Sequence, residues 1–130
     1  MGTNSRLVEL LDKMLSGQHD PVSTIVENEQ ARGFKVIRPG DAIWFPASDW
    51  RSASIASLNG MFVRLVLLHA VQSNRGALNR TVAGIRSAGM IPTVVDPTRE
   101  LAATLSRRGW KPKKVGTTFD DRETIWESAT

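Results

Sequence analysis

The segment from Met61 to Trp110 constrains the fold of this chain more than any other. It begins with Met61 to Val71, a nearly unbroken apolar run rich in Val and Leu, which is typical of a strand buried on both faces. A polar turn that contains Gly76 follows this run. From Ala77 to Ser87 the apolar residues then recur at helical spacing, so the sequence predicts a helix there.

A second strand and a second helix complete the segment. Ile91 to Val95 is a short apolar run, and Asp96-Pro97-Thr98 then begins a helix that ends at Gly109. The order strand, turn, helix, strand, helix predicts two parallel strands joined by a right-handed crossover. The chain is therefore expected to form one α/β domain over residues 1–130, with a mixed sheet of about five to seven strands flanked by helices.

The turn at Gly76 is a candidate binding site for an anion. A helix N-terminus presents free backbone N–H groups and the positive end of the helix dipole. A Cβ atom at Gly76 would also keep a bound phosphate away from the backbone. The alternative interpretation is a tight strand-to-helix connection with no ligand, which occurs in many α/β proteins.

The same segment resembles the GNAT superfamily of N-acetyltransferases. In that family a long strand runs into a turn of the form Gln/Arg-x-x-Gly-x-Gly/Ala, whose backbone amides hold the pyrophosphate of acetyl-CoA. Arg75-Gly76 matches the common Arg-Gly pair of that turn. Gly109-Trp110 matches the Gly-Phe pair that closes the next helix of the family.

The resemblance implies an acetyl-CoA-dependent N-acetyltransferase that acts on an amine by direct attack on the thioester carbonyl. The strand backbone from His69 to Val71 would polarise that carbonyl and orient the pantetheine arm. The acceptor would be an amine on a small molecule, a peptide or a nucleic acid. The residues implied in binding acetyl-CoA are Ala70, Val71, Asn74, Arg75, Gly76, Ala77, Leu78, Asn79 and Arg80.

The chain departs from the family pattern at several positions. Leu78 stands at the second small position of the turn, and Thr98 replaces the usual Asn. Leu105 replaces the Tyr that often protonates the leaving thiolate, and the chain contains no Tyr at all. The missing Tyr, together with the lack of a carboxylate on the central strand, favours a second interpretation, a non-catalytic domain of the same fold that binds CoA weakly or not at all.

Candidate catalytic residues are few. His69 lies near the end of the central strand, where it is either a hydrogen-bonded core residue or a general base. Family members often carry a carboxylate base on this strand, but the run from Met61 to Val71 has none. Asp49 and Asp41 are the nearest substitutes, and each is alternatively a turn or cap residue. Positioning and polarisation would then supply most of the rate.

Two helices are predicted before the central segment. Asn4 or Ser5 begins a helix that ends at Gly17. Asp20-Pro21 begins a second helix that ends at Gly33.

Strands and a long connection follow these helices. Phe34 to Ile37 and Ala42 to Phe45 are expected to pair as a hairpin. The segment from Pro46 to Gly60 is expected to be a long loop, or to hold a short helix from Ser52 to Leu58. Near the C-terminus, a second hairpin is predicted, with its turn at Asp120-Asp121 and its last strand at Glu123 to Trp126.

The positive charge is concentrated in the second half of the chain. The formal net charge is +4, with −1 in residues 1–60 and +5 in residues 61–130. The basic residues between the last helix and the final hairpin are Arg107, Arg108, Lys111, Lys113 and Lys114. They form either a solvated face or a contact to phosphate, so a nucleic-acid-directed protein is a third interpretation. Trp50 is the best exposed candidate for base stacking, whereas Trp110 and Trp126 are expected in the core.

Composition limits the remaining possibilities. The chain has no Cys and only two His, so a disulfide framework, a thiolate site and a multi-histidine zinc centre are not expected. No apolar run approaches the ~20 residues that span a bilayer. The N-terminal sequence lacks a signal-peptide pattern, which predicts a cytoplasmic protein with no membrane partner. The acceptor side is thin at this length, so a partner chain is expected to complete it. Dimerisation is common among the proteins that this chain resembles, so the resemblance makes a homodimer one form of that partner.

Overall fold

The computed structural model describes residues 21–73, 75–116 and 123–128. Within these ranges the chain forms three helices and six strands. In chain order they are α1 (Pro21–Ala31), β1 (Lys35–Ile37), β2 (Ile55–Asn59), β3 (Phe62–Leu67), α2 (Ala77–Ser87), β4 (Ile91–Val95), α3 (Arg99–Arg107), β5 (Lys111–Val115) and β6 (Glu123–Glu127). The helix predicted between Asn4 and Gly17 lies outside the described residues, as does the turn predicted at Asp120-Asp121.

The strands form one mixed sheet in the order β1-β2-β3-β4-β6-β5. Only β3 and β4 are parallel among the described pairs, with Arg64 opposite Thr93 and Leu65 opposite Val94. All other neighbouring strands are antiparallel. The predicted α/β class with a mixed sheet is therefore confirmed.

The predicted order of strand, helix, strand and helix in the central segment is confirmed, but the first strand, predicted from Met61 to Val71, spans only Phe62–Leu67. The helix predicted from Ala77 to Ser87 and the strand predicted from Ile91 to Val95 have the predicted bounds. α3 begins after Thr98, whose hydroxyl accepts a hydrogen bond from Leu101 N at 3.2 Å. The C-terminal hairpin is present as well, but its first strand is the Lys-rich run of β5 itself.

Two predictions in the first half of the chain are wrong. Ala42 to Phe45 forms turns rather than a strand, with Phe45 N donating to Ala42 O at 3.0 Å. The antiparallel partner of β1 is β2, Ile55–Asn59, which lies in the segment expected to be a loop or a short helix. β2 lacks a recognisable strand pattern in the sequence, because its residues are mostly small or polar. Its burial depends on contacts with distant parts of the chain.

The segment between β1 and β2 closes one side of the core. Trp44 and Phe45 are buried in it, and their rings lie 5.8 Å apart. Gly84 of α2 permits this packing, since a Cβ there would lie 2.8 Å from Trp44 Cβ. The buried core comprises Ile37, Trp44, Phe45, Trp50, Ala56, Val63, Leu65, Ala77, Val82, Ile85, Val94, Leu105 and Trp110. Trp126 packs partly buried against it, so the predicted core positions of Trp110 and Trp126 are confirmed.

A cluster of charged residues lies on the other face of the sheet. Arg64 of β3 is 3% exposed and donates to Glu29 Oε1 at 2.9 Å and to Glu123 Oε1 at 2.7 Å. Ser57 Oγ donates to the same Glu29 oxygen at 2.6 Å. The guanidinium of Arg64 also lies 4.7 Å from the centre of the Phe34 ring. The cluster therefore ties α1, β2, β3 and β6 together.

Pairing determines the ionisation of this cluster. Burial alone would raise the pKa of Glu123, but hydrogen bonds from Arg64 and Arg32 outweigh it and hold the pKa below its ordinary value. Burial would likewise lower the pKa of Arg64, but its hydrogen bonds to Glu123 and Glu29 outweigh it and raise the pKa. The buried side-chain polar atoms of the described residues all have hydrogen-bond partners.

None of the described helices is both long enough and apolar enough to cross a membrane.

Candidate functional site

The two parallel strands separate at their carboxyl ends. The last residue of β3 that pairs with β4 is Leu65, opposite Val94. Beyond β3 the chain pairs instead with the segment before β2: Arg51 N donates to His69 O at 2.7 Å, and Val71 N donates to Asp49 O at 2.9 Å. This pairing draws the chain after β3 away from β4 and leaves a wedge between them.

A cleft of about 480 Å³ lies in this wedge. Its walls are the chain from Leu65 to Ala70, the turn before α2, and the end of β4 with one side of α3. Such a position, outside the carboxyl ends of neighbouring parallel strands, is where α/β folds commonly bind ligands. The cleft is therefore the candidate site.

The N-terminus of α2 faces the cleft without a cap from a side chain. Gly76 is the N-cap residue, with φ 80°, and no side chain accepts a bond from the first turn. The first backbone bond of the helix runs from Arg80 N to Gly76 O at 3.0 Å. The amides of the preceding residues Ala77, Leu78 and Asn79 consequently have no intrahelical acceptor, and all three residues line the cleft. No acidic side chain occupies this first turn.

The residues predicted to bind acetyl-CoA divide into two groups. Those that line the cleft are Ala70, Gly76, Ala77, Leu78 and Asn79. Val71, Arg75 and Arg80 are described but do not line it. Asn74 lies outside the described residues.

Arg80 forms an ion pair with Asp49, which is the second candidate catalytic residue beside His69. The guanidinium donates to both carboxylate oxygens, from Nε at 3.0 Å and from Nη2 at 2.7 Å, and its Nη1 donates to Arg75 O at 2.6 Å. Hydrogen bonds from Arg80 hold the pKa of Asp49 below its ordinary value. An ionised, doubly hydrogen-bonded carboxylate is a weak proton acceptor, so this geometry favours a positioning role for the pair over the predicted roles of base and phosphate ligand.

His69 is exposed at the lip of the cleft, so its interpretation as a core residue is wrong. Its backbone is fully used: the amide donates to Ser54 Oγ at 2.9 Å, and the carbonyl accepts from Arg51 N. The Val71 amide is likewise bonded to Asp49 O. Of the amides from His69 to Val71, the described hydrogen bonds leave that of Ala70 for a ligand.

Trp50 is buried, not exposed as predicted for a base-stacking residue. It is 4% exposed, and its indole Nε1 donates to Thr81 Oγ1 of α2 at 2.8 Å. The polar loop around it folds inward because the aromatic rings of Phe45 and Trp50 pack together, with centroids 5.8 Å apart. Trp50 thus forms part of the floor of the cleft.

Two carboxylates that the sequence reasoning missed, Asp96 and Glu100, line the cleft. Asp96 follows β4 and has φ 42°, an uncommon conformation for a residue other than Gly. Its Oδ1 accepts a bond from Thr124 N at 2.7 Å. The available signal was the position of an Asp directly after a buried strand, at the carboxyl edge of the sheet.

Among the described residues no group of three or more His, Cys, Asp or Glu side chains could hold a metal ion.

Comparison with family models, with curated proteins and with solved structures gives no match for this chain. The class of protein is therefore defined by its geometry. It is a mixed α/β domain with a cleft between two diverging parallel strands and an uncapped helix N-terminus in the wall of that cleft.

Proposed function

We propose that the protein is an acetyl-CoA-dependent N-acetyltransferase that transfers the acetyl group directly to an amine acceptor. The observation that carries this proposal is the uncapped N-terminus of α2 in the wall of the cleft between β3 and β4. Three adjacent backbone donors, from Ala77 to Asn79, suit the oxygens of a pyrophosphate. This is the place where the resemblance to N-acetyltransferases implies the pyrophosphate of acetyl-CoA.

The residues of the cleft fit such a ligand. Gly76 supports close approach of phosphate, since its positive φ turns the chain into the helix and no side chain caps the first turn. A Cβ there would lie 3.2 Å from Arg80 Nη1 and disturb the contact of Arg80 with the turn. Beyond the helix, the apolar walls at Leu65 and Val94 suit the uncharged pantetheine arm.

When bound, acetyl-CoA supplies an acyl group already activated as a thioester. In the proposed reaction the Ala70 amide donates to the acyl carbonyl and stabilises the charge that develops there. The exposed imidazole of His69 accepts the proton of the attacking amine at the lip of the cleft. Leu105 is fully buried and has no proton to give, so the sulfur leaves as the thiolate.

Two matched glycine variants test the proposal. Gly76 and Gly89 have nearly the same backbone conformation, φ 80° and φ 79°, but Gly89 lies at the opposite end of α2 from the cleft. Gly76→Leu and Gly89→Leu should therefore strain the backbone similarly. We expect Gly76→Leu to weaken CoA binding at least about tenfold and Gly89→Leu to leave it unchanged, by calorimetry on samples shown to be folded by circular dichroism. Normal affinity in Gly76→Leu would contradict the pyrophosphate site.

A non-catalytic CoA-binding domain is a second candidate. The burial of Leu105 at the position of the usual acid supports it, as does the engagement of Asp49 with Arg80. Saturable binding of acetyl-CoA without turnover of any amine acceptor would favour this candidate.

A nucleic-acid-directed protein is a third candidate, supported by the edge strand β5. Its lysines Lys111, Lys113 and Lys114 are all exposed. The burial of Trp50 removes the stacking residue that this interpretation needed. Binding of DNA or RNA that weakens steeply with rising salt, without any CoA binding, would favour this candidate over the first.

The proposal also includes a cellular location and an oligomeric state. We infer a cytoplasmic protein that acts as a homodimer, in which the second copy completes the acceptor side. Sedimentation velocity with and without CoA tests the dimer.

A further inference from the structure

A second, smaller cleft adjoins the first along the side of α2. Its volume is about 230 Å³, and it shares Leu78, Asn79 and Arg108 with the larger cleft. The two clefts therefore adjoin each other at Asn79. The smaller cleft extends along α2 as far as Arg86, which is about 10 Å of helix rise beyond Asn79.

Two guanidinium groups line this second cleft. Arg108, at the end of α3, donates to Asn79 Oδ1, and Arg86, in the last turn of α2, donates to Ser128 Oγ. Both acceptors are neutral. In the part of the chain that the structure describes, neither guanidinium forms an ion pair with a carboxylate.

Other arginines of the protein differ in this respect. Arg32, Arg64 and Arg80 each contact a carboxylate oxygen at 2.7–3.0 Å. Their charge is compensated within the protein, whereas the partners of Arg86 and Arg108 among the described residues are neutral. A positioned guanidinium without a carboxylate partner is suited to a phosphate, which it binds through paired N–H donors.

The second cleft also has apolar side chains in its lining. Val82 and Trp110 are among them, and both are largely buried. Apolar side chains beside two cations suit a ligand that combines a flat ring with a phosphate, as a phosphorylated nucleoside does. The proposed pyrophosphate site at Asn79 adjoins this cleft, so both sites can serve one nucleotide.

We propose that Arg86 and Arg108 bind the phosphomonoester on the ribose of the nucleotide ligand, which in CoA is the 3′-phosphate. This inference rests on the proposed function and deepens it, because it makes the protein selective for CoA over dephospho-CoA. A cation near a helix C-terminus also stabilises the helix by itself. The experiment separates the two roles of these arginines.

The test is the affinity of the full chain for CoA and for dephospho-CoA, measured by calorimetry at one fixed salt concentration. We expect CoA to bind about tenfold more tightly or better, because charge-assisted bonds to the phosphomonoester are lost with dephospho-CoA. In the double variant Arg86→Gln/Arg108→Gln, CoA should bind as weakly as dephospho-CoA, and the affinity for dephospho-CoA should match that of the wild type.

The control variant Arg107→Gln/Lys113→Gln removes two positive charges from residues that line neither cleft. It should retain the preference for CoA. Loss of the preference in this control would overturn the inference, because it would show an effect of overall charge.

The inference and the proposed function fail in different ways. Equal binding of CoA and dephospho-CoA by the wild type would overturn the phosphomonoester site and leave the pyrophosphate site standing. If neither ligand binds at millimolar concentration, both proposals are wrong. Equal weakening of both ligands in the double variant would show that the arginines act on the fold, which also overturns the inference.

Discussion

The cluster around Arg64 and the cleft beyond β3 differ in how their polar groups are paired with other groups of the protein. In the cluster each charge has a partner: Arg64 contacts Glu29 and Glu123 within 2.9 Å. In the cleft the amides of the first turn of α2 have no cap from a side chain, and the acceptor of the Arg108 guanidinium within the described ranges is the neutral Asn79 Oδ1. Satisfied polar groups stabilise a fold, whereas donors without protein partners are available to a ligand. The comparison therefore separates the region that holds the protein together from the region that we propose binds a ligand.

The helix N-termini repeat this contrast on a smaller scale. α3 has the cap Thr98 and an acidic residue, Glu100, in its first turn. α2 has neither. Both helices begin at the edge of the same cleft, so the difference does not arise from exposure to solvent alone.

The largest effect is expected from breaking the charge cluster. Arg64→Met removes the buried partner of Glu29 and Glu123, leaving them only the half-exposed Arg32, and should lower the free energy of unfolding by about 3–5 kcal/mol. Chemical denaturation measures this loss. The affinity for CoA of the folded fraction should stay the same, because Arg64 lies outside the cleft.

A triple variant serves as the control for this prediction. Replacing Arg64, Glu29 and Glu123 together by apolar residues should recover much of the stability, since no buried charge remains and the half-exposed guanidinium of Arg32 can be solvated. An Arg64→Met protein as stable as the wild type would contradict the role given to the cluster.

The next effect concerns the first turn of α2, where Asn79→Asp introduces the negative charge that α3 already carries. A carboxylate there should raise the free energy of unfolding by about 0.3–1 kcal/mol through the helix dipole. The same charge should repel a bound pyrophosphate, so we expect CoA binding to weaken about tenfold. Thermal melts and calorimetry on one sample measure both changes. Equal or tighter binding of CoA by Asn79→Asp would contradict the proposed pyrophosphate site at this turn.

A smaller effect is expected at the capped helix. Thr98→Ala removes the bond from Leu101 N and should lower the free energy of unfolding by about 1 kcal/mol. Because this helix start is not the proposed phosphate site, CoA affinity should be unchanged. If Thr98→Ala lost as much CoA affinity as Asn79→Asp, the N-termini of α2 and α3 would be equivalent. This result would contradict the contrast drawn between them.

The sequence predicted the central part of the fold because its signals are local. The apolar period of α2, the run of β4 and the residues Asp96-Pro97-Thr98 all lie within a few positions of the elements that they define. β2 was missed because its buried Ser57 is satisfied by Glu29, which is 28 residues away. Trp50 was misjudged for the same reason, since Thr81 holds it from 31 residues away.

The candidate site was predictable only in part. The Gly76 turn was found because a glycine before a helix is a local pattern, and it does line the cleft. The pairing of Asp49 with Arg80 could not be read from the sequence, because either side chain alone also suits a role in the site. Such pairings depend on which loops the sheet brings together.

The smallest effect is expected from the exposed pair of Asp49 and Arg80. Because the pKa of Asp49 is lowered in the folded protein, the pair stabilises the fold above the ordinary pKa of 3.8. This stabilisation is lost as the pH falls through the lower, folded pKa. The melting temperature of Asp49→Asn should therefore be slightly below that of the wild type from pH 5 to 8, and the difference should shrink below about pH 4. A difference that grows in acid would contradict the direction of the shift.

The most direct test of the central claim is a titration of ¹⁵N-labelled protein with CoA, followed through the backbone amide signals. Binding of the pyrophosphate to the first turn of α2 predicts large, saturable shifts at Ala77, Leu78 and Asn79. The amides that begin α3, at Arg99 and Glu100, should shift little, and pantetheine, which lacks the pyrophosphate, should not reproduce the shifts. Saturable binding that leaves the amides from Ala77 to Asn79 unmoved would contradict the account.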